Sequence, residues 1–261
     1  MLVYLSRLLQ IIFMSEKIIE LLKKDSKPDD FITKTDIVRV LKKNGLVLSD
    51  DAIRQRIFVL SQKGILQKVK RGVYTFNIKP TFSPEITSEI KRASRLFISN
   101  YPEINYCIWS QSWLHNFMNH QPFNYSIIFE TEADMVETAF NLFKDNHLNS
   151  FLNPDKDIVQ NYTNGPNRSI LMRKMIYQSP VNEIKNIKVP AIEKILVDLF
   201  CDRNFQFLYQ GTELKNIFSN SFRRFNINLS LLLRYASNRN QKSEIKDFLL
   251  TEILISKKLL L

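Results

Sequence analysis

The sequence predicts a mixed α+β or α/β chain: a small N-terminal domain over 15–80, then a larger α/β domain over 81–261 with a helical C-terminal part. Three observations carry this. SDDAIRQRIFVLSQKGILQKVKRGVYTF (Ser49–Phe76) reads as a helix, a glycine stop, a short apolar strand, a basic glycine turn and a second strand. Strand-like and helix-like runs alternate from Ser83 to Tyr177, the texture of an α/β layer with a partly parallel sheet. After Pro190 only helical periods follow.

Met1–Phe13 (MLVYLSRLLQIIF) is apolar with one arginine, has no small-residue cleavage site after it and is too short to span a bilayer. Residues 1–14 are therefore set apart as a leader, either an upstream start or an added packing helix. Ser15–Lys24 places Ile18, Ile19, Leu21 and Leu22 on a helical period. Thr33 and Asp36 have capping-box spacing and open a helix through Lys43 with Ile37, Val38, Val40 and Leu41 inside. In the next helix Ser49 is the N-cap, Asp50 and Asp51 suit the positive end of the dipole, and Ile53, Ile57 and Leu60 form one buried stripe up to Gly64. Ile65–Val69 and Val73–Phe76 are β-prone runs about the cationic turn Lys70-Arg71-Gly72. Three helices and a basic ribbon in this order spell a winged helix-turn-helix.

Pro80 and Pro84 mark a linker, with Ser83-Pro84-Glu85 opening a helix to Asn100. Ile104–Trp109 reads as a strand, Gln111–Met118 as a helix, Tyr125–Phe129 as a buried strand and Glu132–Lys144 as an amphipathic helix. Ile158–Tyr162 and Ser169–Tyr177 are further strand candidates. The helices Ala191–Phe200, Thr212–Arg224, Leu229–Ser237 and Glu244–Leu254 complete the chain.

Charge sits where nucleic-acid binding requires it. The chain carries a net +11, and Met1–Pro80 holds 16 Lys/Arg against 8 Asp/Glu, whereas the rest holds 21 against 18. Five glycines, three of them used as punctuation before residue 73, leave no phosphate-cradling loop or dinucleotide fingerprint. His115, His120 and His147 lack metal-ligand spacing, so no metal or cofactor is expected. Asp155 and Asp157 read as a solvated loop beside Pro154. Glu130 and Glu132 read as a strand end followed by first-turn acids of the next helix, with no lysine at hand for nuclease chemistry. Cys107 and Cys201 are expected as buried free thiols of a cytoplasmic protein.

Four passages resemble, in order, the AbiEi-type antitoxins of type IV abortive-infection toxin–antitoxin pairs. They are GILQKVKRGVYTF (Gly64–Phe76), YCIWSQSWLHNFMNHQP (Tyr106–Pro122), VPAIEKILVDLFCD (Val189–Asp202) and INLSLLLRYASNR (Ile227–Arg239), and the resemblance covers about 15 to 239. It implies an N-terminal domain that binds double-stranded DNA at its own promoter, a C-terminal antitoxin domain, and a nucleotidyltransferase-like toxin as partner.

The candidate sites follow from these readings. Arg54 and Gln55 face away from the buried stripe and are the candidates for base edges, while Arg56, Lys68, Lys70 and Arg71, with Thr33 and Lys34, are candidates for the phosphate backbone. Glu193, Lys194 and Asp198 belong to the third passage; Lys194 and Asp198 are one helical turn apart and able to pair, a structural use favoured over direct partner contact. Arg223, Arg224, Arg234 and Arg239 form a second basic group, either a solvated helix face or a contact for an acidic toxin surface or nucleic acid. Two other classes stay open on sequence alone: a Mg²⁺-dependent nuclease or nucleotidyltransferase, and a one-component transcription factor that senses a ligand.

Overall fold

The computed structural model describes residues 17–24, 31–121, 125–162, 169–202, 209–256 and Leu260, with the side chains of 160–162 left aside. The leader 1–14 lies outside the described residues. The chain divides into two compact units, Met1–Pro80 and Thr81–Leu261, and is mixed α+β. Among the described residues no helix is long and apolar enough to cross a membrane.

The first unit runs α1 (17–24), β1 (Phe31–Thr33), α2 (Lys34–Lys43), α3 (Asp50–Gln62), β2 (Gln67–Lys70) and β3 (Val73–Thr75). Its helix starts follow the sequence signals. Thr33 and Asp36 form a reciprocal capping box on α2, and the Ser49 hydroxyl accepts from Ala52 N on α3. Gly64 (φ +65°) and Gly72 (φ +78°) occupy left-handed backbone, ending α3 and turning the β2–β3 hairpin. Ile53, Ile57 and Leu60 of α3 join Ile18, Leu22, Ile32, Ile37, Val40, Leu41 and Leu66 in one core. The strand β1 was not legible as such: Phe31–Thr33 pairs antiparallel with Val73–Thr75, giving a three-stranded sheet of order β1-β3-β2 with a bulge between Lys68 and Lys70.

The second unit is built on a four-stranded sheet of order β4-β5-β7-β6, from β4 (Tyr106–Ser110), β5 (Ile127–Thr131), β6 (Ser150–Leu152) and β7 (Ile170–Lys174). β4 runs antiparallel to β5, whereas β5, β7 and β6 are mutually parallel. Helices α4 (Ser88–Asn100), α5 (Val136–Asp145) and α6 (Lys156–Tyr162) accompany it, and a hairpin of β8 (Val181–Ile184) and β9 (Ile187–Pro190) follows. Among the described residues four helices of ten residues or more follow the hairpin: α7 (Ile192–Cys201), α8 (Thr212–Arg224), α9 (Leu229–Asn238) and α10 (Lys242–Thr251). β4 and β5 are buried along their whole length, as is α7 from Ile192 to Phe200. Phe97, Phe129 and Phe143 fill the space between α4, the sheet and α5 with edge-on rings 4.8–5.0 Å apart.

Several elements differ from the sequence expectation, each for a local reason. The helix expected from Ser83 begins only at Ser88, capped by Thr87, because Glu85 gives its carbonyl to Trp113 Nε1 and Phe82 packs among Trp113, Phe117 and Phe225. Gln111–Phe117 is a 3-10 helix. α5 starts at Val136 rather than Glu132, whose carboxylate is held by Asn105. Ile158–Tyr162, expected as a strand, lies in a helix: the Asp155 carboxylate accepts from Ile158 N at 2.8 Å and starts α6. Asp155 and Asp157 are therefore the opening of a helix, not a loop.

Candidate functional site

In the first unit the buried stripe of α3 leaves Arg54, Gln55 and Phe58 exposed, Phe58 by 63%. Phe58 lies one turn beyond Arg54, on the same exposed face of α3 as Arg54 and Gln55. Arg54 leans on Asp51 at 3.3 Å, an exposed i,i+3 pair. Lys68 and Arg71 are exposed on the hairpin and Lys70 is half-buried; none of the three has an ion-pair partner among the described residues. The other expected backbone contacts are engaged within the unit. Lys34 Nζ binds Asp50 Oδ2 at 2.7 Å, joining the starts of α2 and α3 and holding the Asp50 carboxyl below its ordinary range. The Thr33 hydroxyl is used in the capping box, and Arg56 turns back to donate to Ala52 O at 2.9 Å.

The second unit contains a cluster that the sequence did not announce. Glu130 on β5 stands directly across from Arg173 on β7, and Arg173 Nε reaches Glu130 Oε1 at 2.7 Å. Lys194 on α7 pairs with Glu130 from the other side and with Asp198 Oδ2 at 2.5 Å. Asp198 Oδ1 accepts from Tyr235 Oη and from Arg239 Nη1, both at 2.9 Å. Arg173 Nη1 reaches Asp202 Oδ2 at 2.5 Å, and Arg239 pairs with Asp202 as well. Three cations and three carboxylates thus cancel while joining β5, β7, α7 and α9. Lys194, Glu130 and Asp198 are at most 1% exposed, whereas Arg173, Asp202 and Arg239 form a rim at 14–16%.

The electrostatics follow from this geometry. Burial alone would discharge Lys194, but Asp198 and Glu130 outweigh it and hold the ammonium protonated. Burial likewise pushes the Asp198 carboxyl up, yet Lys194, Arg173 and Arg239 together bring it below the ordinary 3.8. Cys107, which faces Glu130 across the β4–β5 ladder, is fully buried and its thiol is pushed up by that burial.

The structure corrects three expectations here. Glu130 does lie at the end of β5, one residue before Thr131, but it is buried and no helix turn follows it directly, since α5 begins only at Val136; the lysine absent from its neighbourhood in sequence is supplied by α7. Arg239 is not part of a surface basic group, because Asp198 and Asp202 enclose it. Arg224 is partly spent, donating to Asn116 O at 2.7 Å over the Phe117 ring, which leaves Arg223 and Arg234 exposed. Glu193 lies apart from Lys194 and Asp198: its Oε1 accepts from Asn228 N at 2.7 Å at the start of α9.

Sequence reasoning overlooked Phe58, Arg173, Asp202 and Tyr235. Phe58 was accessible to it, standing one turn beyond Arg54 on the exposed side. Asp202 follows Asp198 at the same interval, and Arg173 is a lone cation after Ile170-Leu171-Met172. Nothing local marks Tyr235. Among the described residues, no three His, Cys, Asp or Glu side chains are grouped to hold a metal ion.

No curated protein matches the chain. Residues 52–254 match a family described as a family of unknown function (DUF6577). That span contains nearly all of α3, the basic hairpin and every member of the ionic cluster, and the chain belongs to this family.

Proposed function

We propose that the first unit is a winged helix that seats α3 on duplex DNA, and that the chain is a DNA-binding antitoxin and autorepressor whose second unit counteracts a nucleotidyltransferase-like toxin. The observation that carries the DNA reading is the solvent-facing row Arg54, Gln55 and Phe58 on α3, in one small unit with the exposed Lys68 and Arg71 of the hairpin, which have no ion-pair partner among the described residues. Arg reads guanine, Gln reads adenine and Phe meets the thymine methyl, a good bidentate pair being worth roughly 1–3 kcal/mol of discrimination. The Arg54–Asp51 pair is no obstacle, since so exposed a pair is easily exchanged for a base edge. Lys68, Lys70 and Arg71 serve the phosphates.

The antitoxin half rests on the four passages that resemble AbiEi-type proteins. It is supported by the state of the acids in the second unit: Glu130, Asp198 and Asp202 are each neutralised by a cation, which suits a rigid scaffold better than a cation-hungry catalytic centre.

The test is salt-titrated binding of the purified full chain to its own promoter fragment. Arg71→Ala is expected to weaken binding to every sequence, and Arg54→Ala to relax specificity at one base pair. If six to ten phosphates are met, affinity falls by roughly 10³–10⁵ between 50 and 200 mM salt. Equal effects of the two substitutions on all sequences refute the division of roles. The antitoxin reading fails if the product of the adjacent open reading frame is harmless alone, or if co-expression of this chain does not relieve its toxicity.

A further inference from the structure

A groove of about 460 Å³ in the second unit runs between α4 and the β8–β9 turn. Its lining includes Lys91, Arg95, Ile98 and Ser99 of α4, spaced as one helical stripe, and Lys185 and Ile187 of the hairpin. Among the described residues no carboxylate lines it. Lys91, Arg95 and Lys185 are all exposed, and none forms an ion pair among the described residues. Three cations without ion-pair partners on one groove give it a positive local field, and an anion is the ligand that field favours.

The two elements that form the walls are tied together within the fold. The Tyr106 hydroxyl bonds Ser94 Oγ on α4 at 2.7 Å and accepts from Lys188 N on β9 at 3.2 Å, so a single buried phenol ties the two sides together. Lys185 and Asn186 both take left-handed backbone (φ +52° and +62°), the pattern of a type I′ hairpin turn that fixes the main chain from which Lys185 projects. Preorganised walls reduce the ordering cost of binding. The volume falls in the range of small-ligand sites, and Ile98 and Ile187 add apolar surface beside the cations.

We infer that this groove binds a phosphate-bearing group of nucleotide size, the phosphates on Lys91, Arg95 and Lys185 and the base against Ile98 and Ile187. The inference stands apart from the DNA reading of the first unit. Such a group comes either from a free nucleotide or from the phosphorylated end of an RNA strand.

Calorimetric titration of the full chain with ADP, with pyrophosphate and with a 5′-phosphorylated RNA hexamer tests it and separates the sources. Saturable ADP and pyrophosphate binding identifies a free nucleotide, and saturation by the hexamer alone identifies a strand end. In either case Arg95→Gln and Lys185→Asn, two surface changes of which the second suits a left-handed position, are each expected to lower affinity roughly tenfold to a hundredfold, the worth of one charged hydrogen bond. Lys144→Gln, an exposed cation on α5, is expected to leave it unchanged. Absence of saturation by all three probes at about 1 mM, or equal losses in all three variants, overturns the inference.

Discussion

Replacing Lys194 by methionine tests the ionic cluster most directly. The ammonium is wholly buried and touches both Glu130 and Asp198, so its loss leaves the interior with three carboxylates and two guanidinium groups. Breaking a buried pair by removing one partner costs about 3–5 kcal/mol. For a unit of this size each kcal/mol lowers Tm by roughly 2–4 °C, so the transition is expected to fall by roughly 6–20 °C at pH 7. Urea and thermal unfolding followed by circular dichroism at pH 7 and pH 4 measure this. The sign with pH is determined: native Asp198, held below 3.8, contributes stability above that value and loses it as pH falls further, whereas the variant's surplus carboxylate favours protonation. The gap between the two proteins therefore narrows toward pH 4. Adding Glu130→Gln to Lys194→Met restores neutrality and is expected to recover part of the loss. A deficit below about 1 kcal/mol, or one unchanged between the two pH values, refutes the view that these charges hold one another in place.

Three further outcomes are expected. Burial raises the Glu193 carboxyl above its ordinary 4.5, outweighing the Asn228 N–H that favours its charge, so its contribution is best at low pH and declines as pH rises through the raised value. Glu193→Gln keeps an acceptor for Asn228 and is expected to unfold no earlier than the parent at pH 7, with the difference gone by pH 4; denaturation at both values checks this, and a clear destabilisation at pH 7 would contradict it. Cys201, pushed up to about 11 by burial, is expected to react with a disulfide reagent at pH 8 far more slowly than free cysteine, and Cys107 only after unfolding, as thiol counting with and without urea will show. Phe58→Ala removes a ring that is mostly in solvent, so Tm stays within about 2 °C while binding to the promoter fragment weakens at thymine-containing positions, seen by anisotropy on base-substituted duplexes.

What could be read from the sequence was what neighbouring residues decide. Ser49, Thr33 and the glycines at 64 and 72 act within a few residues, and they mark helix starts and turns where the structure has them. The failures involve partners far along the chain. Glu85 is drawn out of a helix by Trp113, and Phe31–Thr33 becomes a strand only because Val73–Thr75 lies beside it. Ile158–Tyr162 was an error of another kind, since β-branched residues outweighed an aspartate that caps the turn before them. The ionic cluster shows the same limit most sharply: the Lys194–Asp198 pair is a helical spacing, but Glu130, Arg173 and Arg239 reach it through sheet register and helix packing, which no local pattern encodes.

The cancellation of charge at α7 also constrains how this lineage can drift. A lone loss at Glu130, Lys194 or Asp198 strands an odd charge away from water, so change there must travel in opposite-sign couples, or by wholesale exchange for apolar side chains of similar bulk. Kin of this protein will therefore tend to inherit the acid at 130 together with its basic mates at 173 and 194. A recombinant assembled from two relatives that have taken different routes will inherit the mismatch at that spot.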